Sequence, residues 1–184
     1  MKIFYFHINA RRHRMAVIEK FLGKTVEIPE DRHYAVKQNL WGRQADQAIW
    51  FGLTQPGLVL LGGIKTIDWL LEDGQPAQPG DSVAFTITGK ILYIDTPVGG
   101  NIFYNQRLRE NPACVNEDPY GTGWLFRVEL KSGTDQAYHQ SLVPFQQYLD
   151  SLHASEGFKN PEGLKGGVSG VCKAVYYSIG QQKI

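Results

Sequence analysis

Turn signals cut this chain into runs too short for long helices, and that punctuation limits the fold more than any other feature. Glu72-Asp73-Gly74-Gln75-Pro76 and Pro79-Gly80-Asp81 are dense in turn formers. Between such points the apolar residues tend to alternate. Ile64, Ile67, Trp69 and Leu71 have polar neighbours, which predicts a half-buried strand. Trp41 to Arg43 and Gln47 to Leu53 read as short strands, and Trp50-Phe51-Gly52-Leu53-Thr54 has the aromatic and apolar weight of a core strand. Leu58 to Leu61 reads equally as a helical turn or a strand start. Strands of a few residues each predict a mainly β protein, a small sandwich or barrel. With 184 residues and 42% hydrophobic content the chain can bury one such core and carry extensions.

Asp81 to Gly100, DSVAFTITGKILYIDTPVGG, reads as a β-hairpin. Val83, Phe85 and Ile87 alternate with smaller or polar residues, Gly89-Lys90 breaks the pattern, and Ile91, Tyr93, Asp95 and Thr96 lead to Pro97. A turn at Gly89-Lys90 projects the Lys90 ammonium from the tip, with Gly89 supplying tolerance of positive φ. On spacing alone Lys90 is either a solvated turn residue or a lysine presented for chemistry.

The remaining residues exclude more than they assign. Nineteen basic against 18 acidic residues give a net charge of +1, so no broad field for nucleic acid or a membrane surface exists. The chain has no apolar run long enough for a membrane span. Cys114 and Cys172 stand far apart, which argues against a disulfide framework or a paired-cysteine metal site and fits a reduced, cytoplasmic setting. His7, His13, His33, His139 and His153 share no metal-ligand spacing. Gly166-Gly167-Val168-Ser169-Gly170-Val171 lacks the last glycine of a nucleophile turn, and Gly121-Thr122-Gly123 runs into a strand rather than a phosphate-binding helix. Cys114 reads as buried rather than reactive.

Both ends extend the core. MKIFYFHINARRHRM is a targeting presequence, a basic arm, or a stretch upstream of a start at Met15, and is placed outside the fold. Val17, Ile18, Phe21 and Leu22 recur at helical spacing, predicting a short helix over Ala16 to Gly23. Lys131-Ser132-Gly133 predicts a turn. Leu142, Phe145, Tyr148, Leu149 and Leu152 predict a helix over Ser141 to Leu152 with Pro144 in its first turn. Val171 to Ile179 alternates as a strand that docks on the body. The division is 1–27 as an N-terminal extension with a helix, 28–152 as the domain and 153–184 as a C-terminal extension.

Val115-Asn116-Glu117-Asp118-Pro119-Tyr120-Gly121-Thr122-Gly123-Trp124-Leu125-Phe126-Arg127-Val128 resembles a signature of the glycine cleavage system H protein family. Ile28 to Tyr34 resembles that family's opening, and Gln75-Pro76 to Pro79-Gly80-Asp81, Thr96 to Ile102 and Asn105 to Asn111 follow in the family's order. The resemblance implies a lipoyl-domain fold: a flattened barrel or sandwich of two short sheets, a barrel-sandwich hybrid, with short terminal helices. It also implies a non-catalytic carrier with lipoate amidated to the hairpin lysine, here Lys90. Such an arm takes an aminomethyl group from glycine decarboxylase, delivers it to an aminomethyltransferase and is reoxidised by lipoamide dehydrogenase; lipoylating enzymes install it. A related lipoate-dependent pathway is equally compatible. Neither nucleic acid nor membrane is a partner in this reading.

The chain departs from that family at the hairpin. The family has a Glu three residues before its lysine, and Lys90 stands one residue nearer to its proline, Pro97, than the family's lysine does. In ungapped register Gly89 takes the lysine's place and Thr86 the acid's; a one-residue deletion restores Lys90 and puts Ile87 where the acid belongs. Asn39 and Leu40 replace a His-Glu pair ahead of Trp41. A second reading therefore stands beside the carrier: a scaffold or binding module that keeps the fold without the cofactor.

Overall fold

The computed structural model describes residues 3–6, 14–88, 91–130 and 140–164. The chain begins with an antiparallel sheet of β1 (Ile3–Phe6), β2 (Met15–Phe21) and β3 (Lys24–Pro29). Ala16 to Gly23 is thus a strand and its turn, not the helix that its apolar spacing predicts. Ala16, Ile18 and Phe21 are the buried residues of β2, and the register shifts between Ile18 and Phe21. That irregularity changes the buried spacing from two to three, so a bulged strand imitates helical periodicity. Leu22 and Gly23 close the hairpin with φ of 52° and 74°, the paired positive values of a type I′ turn.

β4 (His33–Ala35), a 3-10 turn (Val36–Gln38), β5 (Leu40–Ala45) and β6 (Ala48–Leu53) follow. The apolar run after them is helical: α1 (Gln55–Leu61) starts where the Thr54 hydroxyl accepts the Gly57 N–H at 3.1 Å and stops at Gly62, φ 78°. β7 (Thr66–Trp69), β8 (Pro76–Ala77), β9 (Ser82–Ile87), β10 (Ile91–Asp95) and β11 (Gly100–Tyr104) come next. Two single-turn helices, α2 (Arg107–Glu110) and α3 (Cys114–Glu117), lead to β12 (Phe126–Glu129). β13 (Val143–Pro144) then feeds α4 (Phe145–Leu152) and α5 (Glu156–Lys159). Pro144 pairs with His33 and precedes the helix instead of sitting within its first turn. The turn expected at Lys131 to Gly133 and the strand expected at Val171 to Ile179 lie outside the described residues.

A seven-stranded sheet, β13-β4-β5-β6-β12-β11-β8, faces a three-stranded one, β10-β9-β7. The fold is mainly β, with sheets packed as a flattened barrel-sandwich and not closed into a barrel. Ile49, Phe51 and Leu53, Val83 and Ala84, Ile94, Ile102, Phe126 and Val128 fill the space between them. Side chains of this size contribute roughly 1.5–3 kcal/mol each on full burial. Phe51 stacks on Phe126 at 5.2 Å and Trp69 on Tyr104 at 4.3 Å, while the Tyr104 hydroxyl donates to Val83 O at 2.7 Å. These contacts hold β9 against the larger sheet.

A second core lies where the N-terminal hairpin meets α4. Ile18, Phe21, Val26 and Ile28 pack with Tyr34, Trp41, Tyr148, Leu149 and Leu152. Tyr34 and Tyr148 stack at 4.3 Å, and Thr54 Oγ1 and the Tyr148 hydroxyl share a 2.7 Å hydrogen bond. Residues 15–29 are therefore part of the packed body.

Candidate functional site

The β9–β10 hairpin forms, but the apolar alternation of Val83, Phe85 and Ile87 does not mark its buried face, since Ala84 and Thr86 are buried while Ile87 is exposed. Ile87 pairs with Ile91, Thr86 with Leu92, Phe85 with Tyr93 and Ala84 with Ile94. Ala84, Thr86 and Ile94 turn inward, and the Thr86 hydroxyl donates to Thr66 O at 2.5 Å. On the other side β7 supports the same rung: Thr66 pairs with Ile87, and the Lys65 N–H reaches Ile87 O at 3.1 Å. Phe85, Ile87, Ile91 and Tyr93 support the hairpin from its outer face, and Ile87, Ile91 and Tyr93 are 41%, 59% and 59% exposed. The inward support from Ala84, Thr86 and Ile94 is not singled out by the sequence, although their period-two spacing signals it. Gly89 and Lys90 themselves lie outside the described residues.

The segment from Cys114 to Leu125 is a tightly tied loop. The Asp118 carboxylate accepts the Thr122 N–H at 2.7 Å and its hydroxyl at 3.0 Å, and the Gly123 N–H donates to Asp118 O at 2.8 Å. A Cβ on Gly123 would lie 2.4 Å from Cys114 O, which is why no larger residue fits there. Asn116 clasps Ile64, accepting its N–H and donating to its carbonyl, both at 2.8 Å. Ile64 leads into β7, so the loop is coupled to the strand that flanks the hairpin. Phe126 fills the core, whereas Trp124 stays half-buried and meets Trp50 edge-on at 4.5 Å. Cys114 is buried.

Trp41 Nε1 donates to Pro119 O at 2.9 Å, and the Tyr120 hydroxyl donates to Glu27 O at 2.7 Å while accepting the Gln55 N–H at 3.0 Å. Burial raises the pKa of Tyr120 well above its ordinary value. These bonds bind the loop to the second core. On the outer face they also frame a cleft of about 460 Å3 lined by Trp41, Arg43, Trp50, Arg107, Tyr120 and Trp124, among others. Among the described residues no cluster of three or more His, Cys, Asp or Glu could hold a metal ion, and no helix is long and apolar enough to cross a membrane.

The sequence profile of the glycine cleavage H-protein family matches residues 32–155. A glycine cleavage system H protein of Thermus thermophilus is 31% identical over 128 residues, spanning 68% of this chain and 98% of the relative. One of Aeromonas hydrophila is 33% identical over 125 residues, spanning 67% and 96%. The crystal structure of a glycine cleavage system H protein from Mycobacterium marinum has the same fold, with a TM-score of 0.55 at 24% identity over 67% of this chain and 97% of that one. The match thus takes in nearly the full length of each relative and runs through the hairpin, the Asn116 clasp and α4: this chain belongs to the glycine cleavage H-protein family, a family of lipoyl carriers.

Proposed function

We propose that this protein is a lipoyl carrier with Lys90 as its attachment residue, working between the enzymes of glycine cleavage or of a related lipoate-dependent pathway. The observation that carries the reading is the Ile87–Ile91 pairing, which joins β9 to β10 on either side of the sequence Thr88-Gly89-Lys90. The same register favours Lys90 over Gly89 as the counterpart of the family's lysine. Thr86, the residue three before Gly89, is buried and bonded to Thr66, whereas Ile87, three before Lys90, stands on the exposed face. A covalently held lipoate fits the exposure of Ile87 and Ile91, the last paired residues on either side of the segment that contains Lys90. Lipoate supplies a redox-active dithiol and a carrier arm.

What the chain supplies is a rigid mount. Thr86, Lys65 and the flanking strand β7 fix the hairpin, so motion is confined to the arm and its local concentration at a docked enzyme stays high. Glycine decarboxylase, aminomethyltransferase and lipoamide dehydrogenase are the partners this reading assigns, with lipoylating enzymes acting earlier; the carrier performs no chemistry unaided. The profile match over residues 32–155 supports a carrier unit close to 28–152, with the hairpin of residues 15–27 packed on it and 153–184 following. One observation favours the scaffold reading: Ile87, apolar and exposed, occupies the place of the recognition acid.

The decisive measurement is the intact mass and tryptic map of the protein made with lipoylating enzymes and lipoate, beside a control H protein. A lipoyl adduct on Lys90, absent from Lys90→Arg, is the expected result. An unmodified Lys90 in cells that modify the control overturns the carrier reading.

A further inference from the structure

The outer face of the seven-stranded sheet carries a second cluster, for which the carrier reading has no task. Its register lines up Arg43, Trp50, Arg127 and Phe103 on one rung across β5, β6, β12 and β11. The Arg127 guanidinium lies 4.5 Å from the Phe103 ring centre and 5.9 Å from that of Trp50, and Glu129 meets its charge at 2.5 Å. Arg43 and Arg107, by contrast, form no salt bridge among the described residues. Both line the cleft framed by Trp41, Trp50, Tyr120 and Trp124. The one carboxylate in that lining, Asp118, is engaged by Thr122.

A third cation sits against the cleft wall. Arg32 is only 5% exposed; its guanidinium lies 4.0 Å from the Trp41 ring centre and 5.4 Å from that of Tyr120. Nη2 donates to Tyr120 O at 2.7 Å, Nε is 3.9 Å from Asp31, and neither Nε nor Nη1 has a hydrogen-bond partner among the described residues. The aromatic walls are thus backed and flanked by positive charge. A concave, low-dielectric site concentrates that field. Aromatic residues and arginine are also the side chains that dominate binding energy at protein interfaces.

We propose that this cleft is a docking pocket for an acidic side chain, Asp or Glu, presented by a protein partner. The carboxylate is received by Arg43 and Arg107, with its hydrocarbon stem laid against Trp50 and Trp124. A volume of about 460 Å3 is ample for one side chain and its backbone. Residues 165–184 contain no Asp or Glu and so do not supply this group. A nucleic-acid occupant is disfavoured, since a net charge of +1 gives no extended basic surface for successive phosphates. The inference does not depend on Lys90 and holds for the carrier and the scaffold alike.

Three of the four tryptophans, Trp41, Trp50 and Trp124, line the cleft, so their emission reports on it. The test is a fluorescence titration of the full chain with acetylated hexaglutamate amide, with hexaglutamine and an oligothymidylate as controls. A saturable change is expected with hexaglutamate alone, weakened about tenfold or more in Arg43→Gln/Arg107→Gln and diminished by salt. Arg109→Gln, an exposed arginine outside the cleft, should bind as the parent does. Circular dichroism of each variant separates lost binding from lost fold. No saturable change, binding that survives the double substitution in a folded protein, equal binding of hexaglutamine, or tighter binding of oligothymidylate overturns the proposal.

Discussion

Phe21→Ala tests whether the N-terminal hairpin is integral to the fold. Phe21 is fully buried, and its ring meets Phe158 edge-on at 6.0 Å and 82°. A Cβ on Gly157 would lie 2.2 Å from that ring, so the α5 backbone closes directly over it. Little relaxation is available, because the Gly23 N–H is tied to Pro161 O at 2.8 Å and Lys20 to Glu162 at 2.6 Å. Phe→Ala in a core costs about 3–5 kcal/mol, and a pinned cavity belongs near the middle of that range. With a urea dependence of roughly 2 kcal/mol per molar, the midpoint should fall by about 2 M. Urea unfolding followed by tryptophan emission and far-ultraviolet circular dichroism reads this directly: Trp41 lies in the same cluster as Phe21, while Trp69 borders the other core. Both probes should shift together in one transition. A midpoint lowered by less than about 0.5 M, on the same urea dependence, or a separate early step that leaves the main transition in place, would refute the reasoning and make residues 15–29 an appendage.

Three further outcomes follow from the geometry. Thr54→Val removes both the α1 cap and the bond to Tyr148, so stability should drop by about 2 kcal/mol and the melting temperature by roughly 4–8 °C; an unchanged melting curve contradicts this. Burial raises Tyr104 to about 12 and also pushes Tyr34, Tyr120 and Tyr148 up from 10.0. The neutral phenols therefore contribute stability that is complete below pH 10 and is lost as pH rises from 10 through 12 and beyond. Phenolate absorbance of these four should develop together with loss of circular dichroism, and their ionisation near pH 10 in an intact fold would show the assignment to be wrong. Ile87→Glu restores an acid three residues before Lys90 on the exposed face, and intact mass should show a larger lipoylated fraction; an equal or smaller fraction removes that acid from the account.

The fold was legible where residue chemistry is local. Pro119 and Gly121 are turn formers recognisable by residue type, whereas the need for glycine at 123 shows only in the collision that a Cβ there would cause. β7 could be read because one face is covered, which enforces alternation, whereas β6 is covered on both faces and was legible from its aromatic and apolar weight. Leu58 to Leu61 could not be resolved, since a run of four apolar residues satisfies either period; Thr54, Pro56 and Gly62 carried the helix signal in its flanks. Ala16 to Gly23 was misread because a register shift in β2 breaks strict alternation, and Leu22 at φ 52° is an unusual residue for its turn. At the hairpin, sequence left the counterpart of the family's lysine open between Gly89 and Lys90, because residue types alone do not decide a one-residue offset. The cleft around Trp50 was not legible: it joins residues from β5, β6, the linker after β11 and the tied loop, which only the sheet order brings together.

Among the described residues β10 hydrogen-bonds to β9 alone, so one side of it is a free edge. That edge carries the exposed Ile91 and Tyr93, without proline, and only Lys90 and Asp95 bracket it with charge. Such a strand is a template for pairing with a neighbouring chain, and lysine at its end is a common guard against it. Amide formation on Lys90 would remove one positive charge from 19 basic and 18 acidic residues, taking the formal net charge from +1 to 0. A protein amidated at Lys90 would then combine an unguarded edge with no net repulsion between copies, so its colloidal stability would be poorer than that of the unmodified form.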